Sequence, residues 1–312
     1  MSRLRIAVLG GTGFVGHSLC ERLVMAGHEV RILTRHAERH RDLLVLPTAQ
    51  VVEADVHNPA VLKREFQGLD AVVNLVGILN EDGRGEPGRD GKGFERVHAE
   101  LPAKVVQACR QGGVARLLHM SALHASPDGP SHYLRSKGRG EQIVHEAESS
   151  ALHVTSFRPA VIFGPRDSFT NRFAGLLRQV PFVFPLACAS ARMQPVYVED
   201  VVQAFLLALD RHATFGKRYN LCGPQVYSLR EIVAYLARQL GLKRHILPLN
   251  DTLSYLQAAI LQFAPGKPFT PDNYRSLQVA SVCQAPFPAI FGITPRRFED
   301  IVPTYFPLRM HS

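Results

Sequence analysis

The chain has 312 residues, 46% of them apolar and 20% charged, a composition that excludes a disordered or low-complexity protein and predicts a sizeable buried core. Its formal charge of +9 comes from 36 basic against 27 acidic residues. The basic ones are scattered, so they argue against a nucleic-acid partner and fit a phosphorylated ligand, an acidic partner or a membrane surface.

No apolar run reaches the roughly 20 residues of a membrane-spanning helix, and the N-terminus enters a strand pattern without a signal-peptide core. The five cysteines, Cys20, Cys109, Cys188, Cys222 and Cys283, form no C-x-x-C pair. Reduced thiols in a cytoplasmic protein are expected, with peripheral contact at an inner membrane left open.

In chain order, strands are predicted at Arg3 to Leu9, Glu29 to Leu33, Gln50 to Glu53, Ala71 to Leu75, Arg116 to Met120 and His153 to Phe157. Helices are predicted between them at Phe14 to Ala26, Pro59 to Phe66, Phe94 to Gln111 and Tyr133 to Glu148. This alternation predicts a doubly wound parallel α/β sheet, a Rossmann fold, over residues 1–160. Residues 81–93 are rich in glycine with charges of both signs, and read as a mobile loop, either a substrate lid or a surface insertion. Beyond residue 160 the alternation fades and proline rises. Residues 161–312 are therefore expected to form a smaller C-terminal α/β lobe for substrate or partner, not independent of the first. Its helices are predicted at Glu199 to Leu209, Leu229 to Leu240, Thr252 to Phe263 and Pro271 to Val279. The apolar Leu253 to Phe263 stretch reads as a core-facing amphipathic helix, with membrane or quinone contact as the alternative.

The strongest motif is the glycine-rich turn between the first strand and first helix. Gly10, Gly13 and Gly16 follow G-x-x-G-x-x-G, and Gly11, Gly13 and Gly16 also satisfy G-x-G-x-x-G. In a strand-turn-helix context this spacing cradles a dinucleotide diphosphate on the helix N-terminus, which assigns Gly10, Thr12, Gly13, Phe14, Val15 and Gly16 to cofactor binding. An acid at the end of the second strand would select NAD. Thr34 and Arg35 stand there instead, with Arg39 and Arg41 following, so a guanidinium on a 2′-phosphate, and hence NADP(H), is favoured over surface arginines.

Asp55 and Val56, past the third strand, are placed for adenine, or as residues preceding a helix. Val76 and Gly77 end the fourth strand beside the cofactor ribose. Tyr133 and Lys137 form the only Y-x-x-x-K, one helical turn apart. A phenol has a pKa of roughly 10, and a neighbouring ammonium is expected to lower it toward the working range of an acid-base catalyst. No carboxylate or thiol cluster accompanies His36 and His40, so no metal site is predicted.

The segments GGTGFVG, NLVGIL, HMSALHA, YLRSKGRGE, SFRPAVIFGPRDSF, MQPVYVEDVVQAF and TPDNYRSLQ span most of the chain. Through them it resembles the extended short-chain dehydrogenases/reductases, the epimerase/dehydratase-like proteins. It is most similar to their atypical branch that includes the NADPH-binding accessory subunit of respiratory complex I and its bacterial relatives. The resemblance implies Arg158, Pro159 and Ile162 beside the nicotinamide, and Arg166, Gln194 and Tyr197 at the substrate. It also implies a Ser or Thr at the end of the fifth strand, where Ala122 stands; Ser121 or His124 could supply the donor instead. Three readings follow: an NADP(H)-dependent oxidoreductase on a carbonyl, hydroxyl or quinone-related substrate, a non-catalytic NADPH-binding partner of a respiratory complex, and a nucleotide-sugar epimerase/dehydratase.

Overall fold

Runs rich in Val, Ile and Leu, buried on both faces, make parallel strands, and the amphipathic stretches between them make the covering helices. The computed structural model describes residues 3–81 and 92–307. Its elements begin β1 (Arg5–Leu9), α1 (Phe14–Met25), β2 (Glu29–Thr34), β3 (Ala49–Glu53), α2 (Pro59–Glu65), β4 (Ala71–Asn74), α3 (Lys92–Glu95), α4 (Leu101–Gly112), β5 (Arg116–Met120), α5 (His132–Glu146) and β6 (His153–Pro159). They continue with β7 (Ile162–Phe163), α6 (Phe169–Gln179), β8 (Val183–Leu186), β9 (Arg192–Met193), β10 (Val196–Tyr197), α7 (Val198–Ala208), β11 (Lys217–Leu221), β12 (Tyr227–Ser228), α8 (Leu229–Gln239), β13 (His245–Pro248), α9 (Asp251–Leu261), α10 (Pro271–Leu277) and α11 (Phe298–Tyr305).

The main sheet has seven strands in the order β11-β6-β5-β4-β1-β2-β3, and the pairs from β3 to β6 are parallel. The strand order reverses between β1 and β4, the switch point at which doubly wound sheets bind ligands. Leu9 faces Leu33 and Asn74, Asn74 faces His119, and Met120 faces Phe157, so the strand ends share one edge. One face of the sheet packs Leu9, Leu117 and Val154 against Leu62 of α2, its C-cap Phe66, and Leu101 and Val105 of α4.

The predicted Phe94 to Gln111 helix is interrupted. Residues Arg96–Glu100 form a π turn between α3 and α4, and Pro102 follows inside the first turn of α4. Proline has no N–H to give the carbonyl four residues back, which is that of His98. That carbonyl instead lies against Gly140 of α5, where a Cβ would come within 1.7 Å of it. β11 escapes prediction because it is an edge strand with a mostly polar KRYNL sequence. Most of the 81–93 segment, residues 82–91, lies outside the described residues.

The chain divides into two units. The first is Met1–Arg158, Val201–Tyr219 and Ile290–Ile293; the second is Pro159–Asp200, Asn220–Ala289 and Thr294–Ser312. A single cut at residue 160 does not anticipate the return of the chain to build α7 and the edge strand β11. In the second unit short pairs, β7 with β10, β8 with β13 and β9 with β12, surround a core of Phe163, Leu177, Phe184, Leu236, Phe298 and Val302.

Two expectations are corrected in this second unit. Cys222 and Cys283 are joined in a disulfide across 61 residues, whereas Cys20, Cys109 and Cys188 are free and buried. Their wide spacing concealed the pair because pairing of β9 with β12 and the bonding of Ser281 to Arg192 bring the two segments together. Secondly, α9 turns its small residues Ser254 and Ala258 inward and leaves Leu253, Leu256 and Ile260 exposed, so its large apolar face is not core.

Candidate functional site

β1 ends at Leu9 and the chain turns at once. Gly10 adopts φ +77°, open to glycine at little cost, and its carbonyl accepts from the Gly13 amide at 3.0 Å. α1 starts at Phe14 with Gly13 as its N-cap, no side-chain cap and no acid in its first turn. Among the described residues no side chain caps the amides of Phe14, Val15 and Gly16, which carry the positive end of the helix dipole. A Cβ on Gly16 would lie 2.1 Å from the Gly10 carbonyl oxygen and 2.6 Å from Gly11 Cα. Thr12, half-buried, completes the turn. These backbone donors at a glycine-lined turn fit the diphosphate of a dinucleotide.

The neighbouring strand ends are tied to this turn. A Cβ on Gly10 would come within 3.0 Å of the Val76 amide nitrogen, so the turn lies against the exit of β4. The Asn74 side-chain oxygen accepts from Val76 N at 3.2 Å. His98 Nε2 accepts from Ile78 N at 3.0 Å, which puts the imidazole proton on Nδ1, where it meets Ser136 Oγ at 2.9 Å. Burial, reinforced by the Lys137 charge, holds His98 neutral. Asn74 and His98, which sequence reasoning missed, thus pin the segment on either side of Gly77. The only local signal was the Pro102 that opens the π turn around His98.

Arg35 lies exposed just past β2. Asp55 Oδ1 accepts from the His57 amide at 2.9 Å, closing a turn, and Asn58 rather than Asp55 caps α2. Val56 is buried. Lys104 Nζ donates to the His57 carbonyl at 3.1 Å. Burial first, then the charges of Arg96 and Lys104 and more weakly Arg35, lower the His57 pKa, while Asp55 opposes them. The exits of β2 and β3 therefore carry a cationic rim.

On α5, Tyr133, Lys137 and Glu141 recur every four residues. The expected effect of Lys137 on Tyr133 is corrected by the geometry. The Tyr133 ring packs edge-on against Phe94 and His98, at 6.1 and 5.5 Å between centroids, and burial pushes its pKa up to about 12. Lys137 Nζ turns instead to the Met120 carbonyl at 3.1 Å and to Gly77, where a Cβ would be 3.1 Å away. Burial lowers the Lys137 pKa to about 8, and Glu141 partly opposes that shift.

Ser121 is similarly diverted, because its Oγ donates to the buried Glu141 carboxylate at 3.2 Å. Glu141 also receives both its oxygens' bonds from Arg158 Nε at 2.9 Å and an ion pair from Arg218 at 3.5 Å. A charged acceptor outcompetes a neutral one for a hydroxyl proton. Ser121 and Arg158, the latter as counter-ion of Glu141, thereby both anchor α5. Ala122 opens a tight turn closed by the Ala125 amide, with His124 at φ +60°.

The remaining predicted residues belong to the second unit. Pro159 is buried at the end of β6, and Ile162 pairs with Val196. Arg166 is exposed. Tyr197 packs on Phe163, with the Arg296 guanidinium 5.1 Å from its ring centre. Gln194, expected at the substrate, has both ends of its amide engaged: Oε1 accepts from Cys283 N at 2.9 Å and Nε2 donates to Gly223 O at 2.7 Å, one bond beside each half of the disulfide. Among the described residues no group of three or more His, Cys, Asp or Glu could hold a metal, and no helix is long and apolar enough to cross a membrane.

Residues 6–222 match the model of the NAD dependent epimerase/dehydratase family. The chain is 31% identical to a ceramide reductase of Caulobacter vibrioides over 250 residues, covering 79% of this chain and 74% of that protein. It is 29% identical to mitochondrial NADH dehydrogenase [ubiquinone] 1 alpha subcomplex subunit 9 of Mus musculus over 304 residues, 94% of this chain and 77% of that protein. Among solved structures, a nucleoside-diphosphate-sugar epimerase of Staphylococcus aureus shares the fold with a TM-score of 0.71 at 17% identity, over 94% of this chain and 98% of that one. A dinucleotide cradle at the switch point of a parallel sheet, matched over most of the chain by one family model, places this protein in the NAD dependent epimerase/dehydratase family.

Proposed function

We propose that this chain is an NADP(H)-dependent reductase of a carbonyl substrate. The observation that carries the reading is the shared strand edge, where the uncapped N-terminus of α1, the Gly77 backbone and the Lys137 ammonium converge. Gly10 to Gly16 would hold the diphosphate and Asp55 with Val56 the adenine. Arg35, backed by the cationic rim with Arg96 and Lys104, would hold a 2′-phosphate. Val76, Gly77 and Lys137 would hold the nicotinamide ribose. The bound cofactor supplies the hydride.

Tyr133 would be the proton donor to the developing alkoxide. Burial raises its pKa above the ordinary phenol value, so the protonated phenol is the form available at neutral pH to donate. One relative is a ceramide reductase, which supports a reductase reading.

A second reading, an NADPH-binding accessory protein of a respiratory complex, is favoured by one observation. The hydroxyl expected at the end of β5 is absent at Ala122 and diverted at Ser121, and loss of such a donor costs about 100- to 1,000-fold in rate. Tyr133→Phe separates the two. The reductase reading expects NADPH oxidation across a carbonyl and quinone panel, reduced about 100- to 10,000-fold by that substitution. Tight NADPH binding without turnover, and full function of Tyr133→Phe in cells, would leave the accessory reading standing.

A further inference from the structure

The large apolar residues of α9, with Phe263 just beyond its end, form an outward stripe. Leu253, Leu256, Ile260 and Phe263 follow one another at intervals of three and four, and are 46%, 51%, 61% and 82% exposed. The helix is pinned by its opposite side: Ser254 Oγ accepts from Cys188 N at 3.2 Å, Gln257 Nε2 donates to Pro185 O at 3.4 Å, and Ala258 is fully buried. From Thr252 to Phe263 there is no charged residue. A helix that packs its small side chains and presents its large ones is inverted relative to a core helix.

A second protruding ring adjoins this element. Pro185, the anchor of Gln257, lies in β8, and Phe182 immediately precedes that strand with 80% of its surface exposed. Phe182 is held at φ +58°, a conformation unfavourable for a bulky residue, and its carbonyl accepts from His245 N at 2.8 Å. The flanking chain is basic. Residues 168–198 contain Arg172, Arg178 and Arg192 and no acid; residues 240–250 contain Lys243 and Arg244 and no acid. Arg244 Nε donates to the Leu177 carbonyl, which keeps these basic segments together at the foot of β8. The acids nearest α9 in sequence, Asp251 and Asp272, sit in the first turns of α9 and α10.

We propose that the outer face of α9 and the protruding Phe182 are a docking surface for an anionic lipid bilayer. The apolar stripe enters the headgroup boundary and the basic β8 and β13 approaches face the lipid charge. An uncharged stripe with an aromatic end and a cationic flank matches an interfacial, surface-lying helix. A protein partner would have to bring an apolar groove of opposite charge. The bilayer offers both features without a matched shape, and the chain's net charge of +9 adds to the attraction. The proposal is independent of cofactor binding and turnover.

Vesicle co-sedimentation of the full chain tests it, using equimolar phosphatidylcholine and phosphatidylglycerol against phosphatidylcholine alone. The full chain is expected to sediment with the mixed vesicles and to release as salt rises. The triple variant Leu256→Ser, Ile260→Ser, Phe263→Ser should lose at least about tenfold in partitioning. Its thermal unfolding should stay unchanged, since these side chains leave no core. Arg178→Glu with Lys243→Glu should remove the preference for the mixed vesicles. No sedimentation with either vesicle, equal partitioning of the triple variant, or a dimer abolished by the same substitutions in a chain that ignores vesicles would each overturn it.

Discussion

The turn that follows β1 and the turn that follows β5 open onto the same edge of the sheet, yet they offer a ligand different material. At the first, the donors are backbone amides at a helix N-terminus, and the glycines exclude every Cβ that would fill the space. At the second, the available groups are side chains already committed: Ser121 to Glu141, Glu141 to Arg158, and Lys137 to the Met120 carbonyl. Backbone chemistry survives sequence divergence because it needs only a conformation. Side-chain chemistry depends on which competing partner the tertiary structure supplies.

The sharpest way to break this comparison is Gly16→Val. The added Cβ would sit 2.1 Å from a backbone oxygen that has no flexible end to yield. Overpacking of this kind typically costs about 1 to 3 kcal/mol and here also displaces the diphosphate donors. NADPH affinity, measured by titration calorimetry, should fall about a hundredfold or more; unchanged binding would remove the backbone cradle from the account.

Arg35→Ala probes the cationic rim, which is again made of side chains. A hydrogen bond to a charged group is worth about 1.5 to 3 kcal/mol, so NADPH should bind about ten- to a hundredfold tighter than NADH in the unmodified protein, and the substitution should erase most of that difference. Equal affinities before substitution would assign the rim to a surface role.

The gentlest effect is a pH dependence at Lys137. Burial favours its neutral form, so the ammonium is lost as pH rises through about 8, well below the 10.5 of an exposed lysine. NADPH affinity should then weaken by up to about tenfold per pH unit above that point. The same depressed pKa has the opposite sign for stability. Between about 8 and 10.5 the unfolded chain binds the extra proton, so this residue's contribution to folding stability increases with pH. Lys137→Met should flatten the binding profile; a profile that stays sloped in that variant would place the titrating group elsewhere.

The sequence by itself determined the parallel sheet, the glycine turn and the helix that carries Tyr133 and Lys137. Apolar runs buried on both faces, glycine spacing and helical periodicity are local properties that act within a few residues. The edge strand β11 and the π turn at His98 were not legible: the first is polar and paired on one side, and the second lies where Gly140 of α5 packs against the His98 carbonyl, four residues before Pro102. Only the tertiary structure decided that Ser121 donates to Glu141, and that Gln194 braces a disulfide formed across 61 residues. It also decided that α9 faces outward. An amphipathic pattern defines two sides of a helix, and which side is covered depends on the strands it meets, here the Pro185 to Cys188 segment that accepts its small residues.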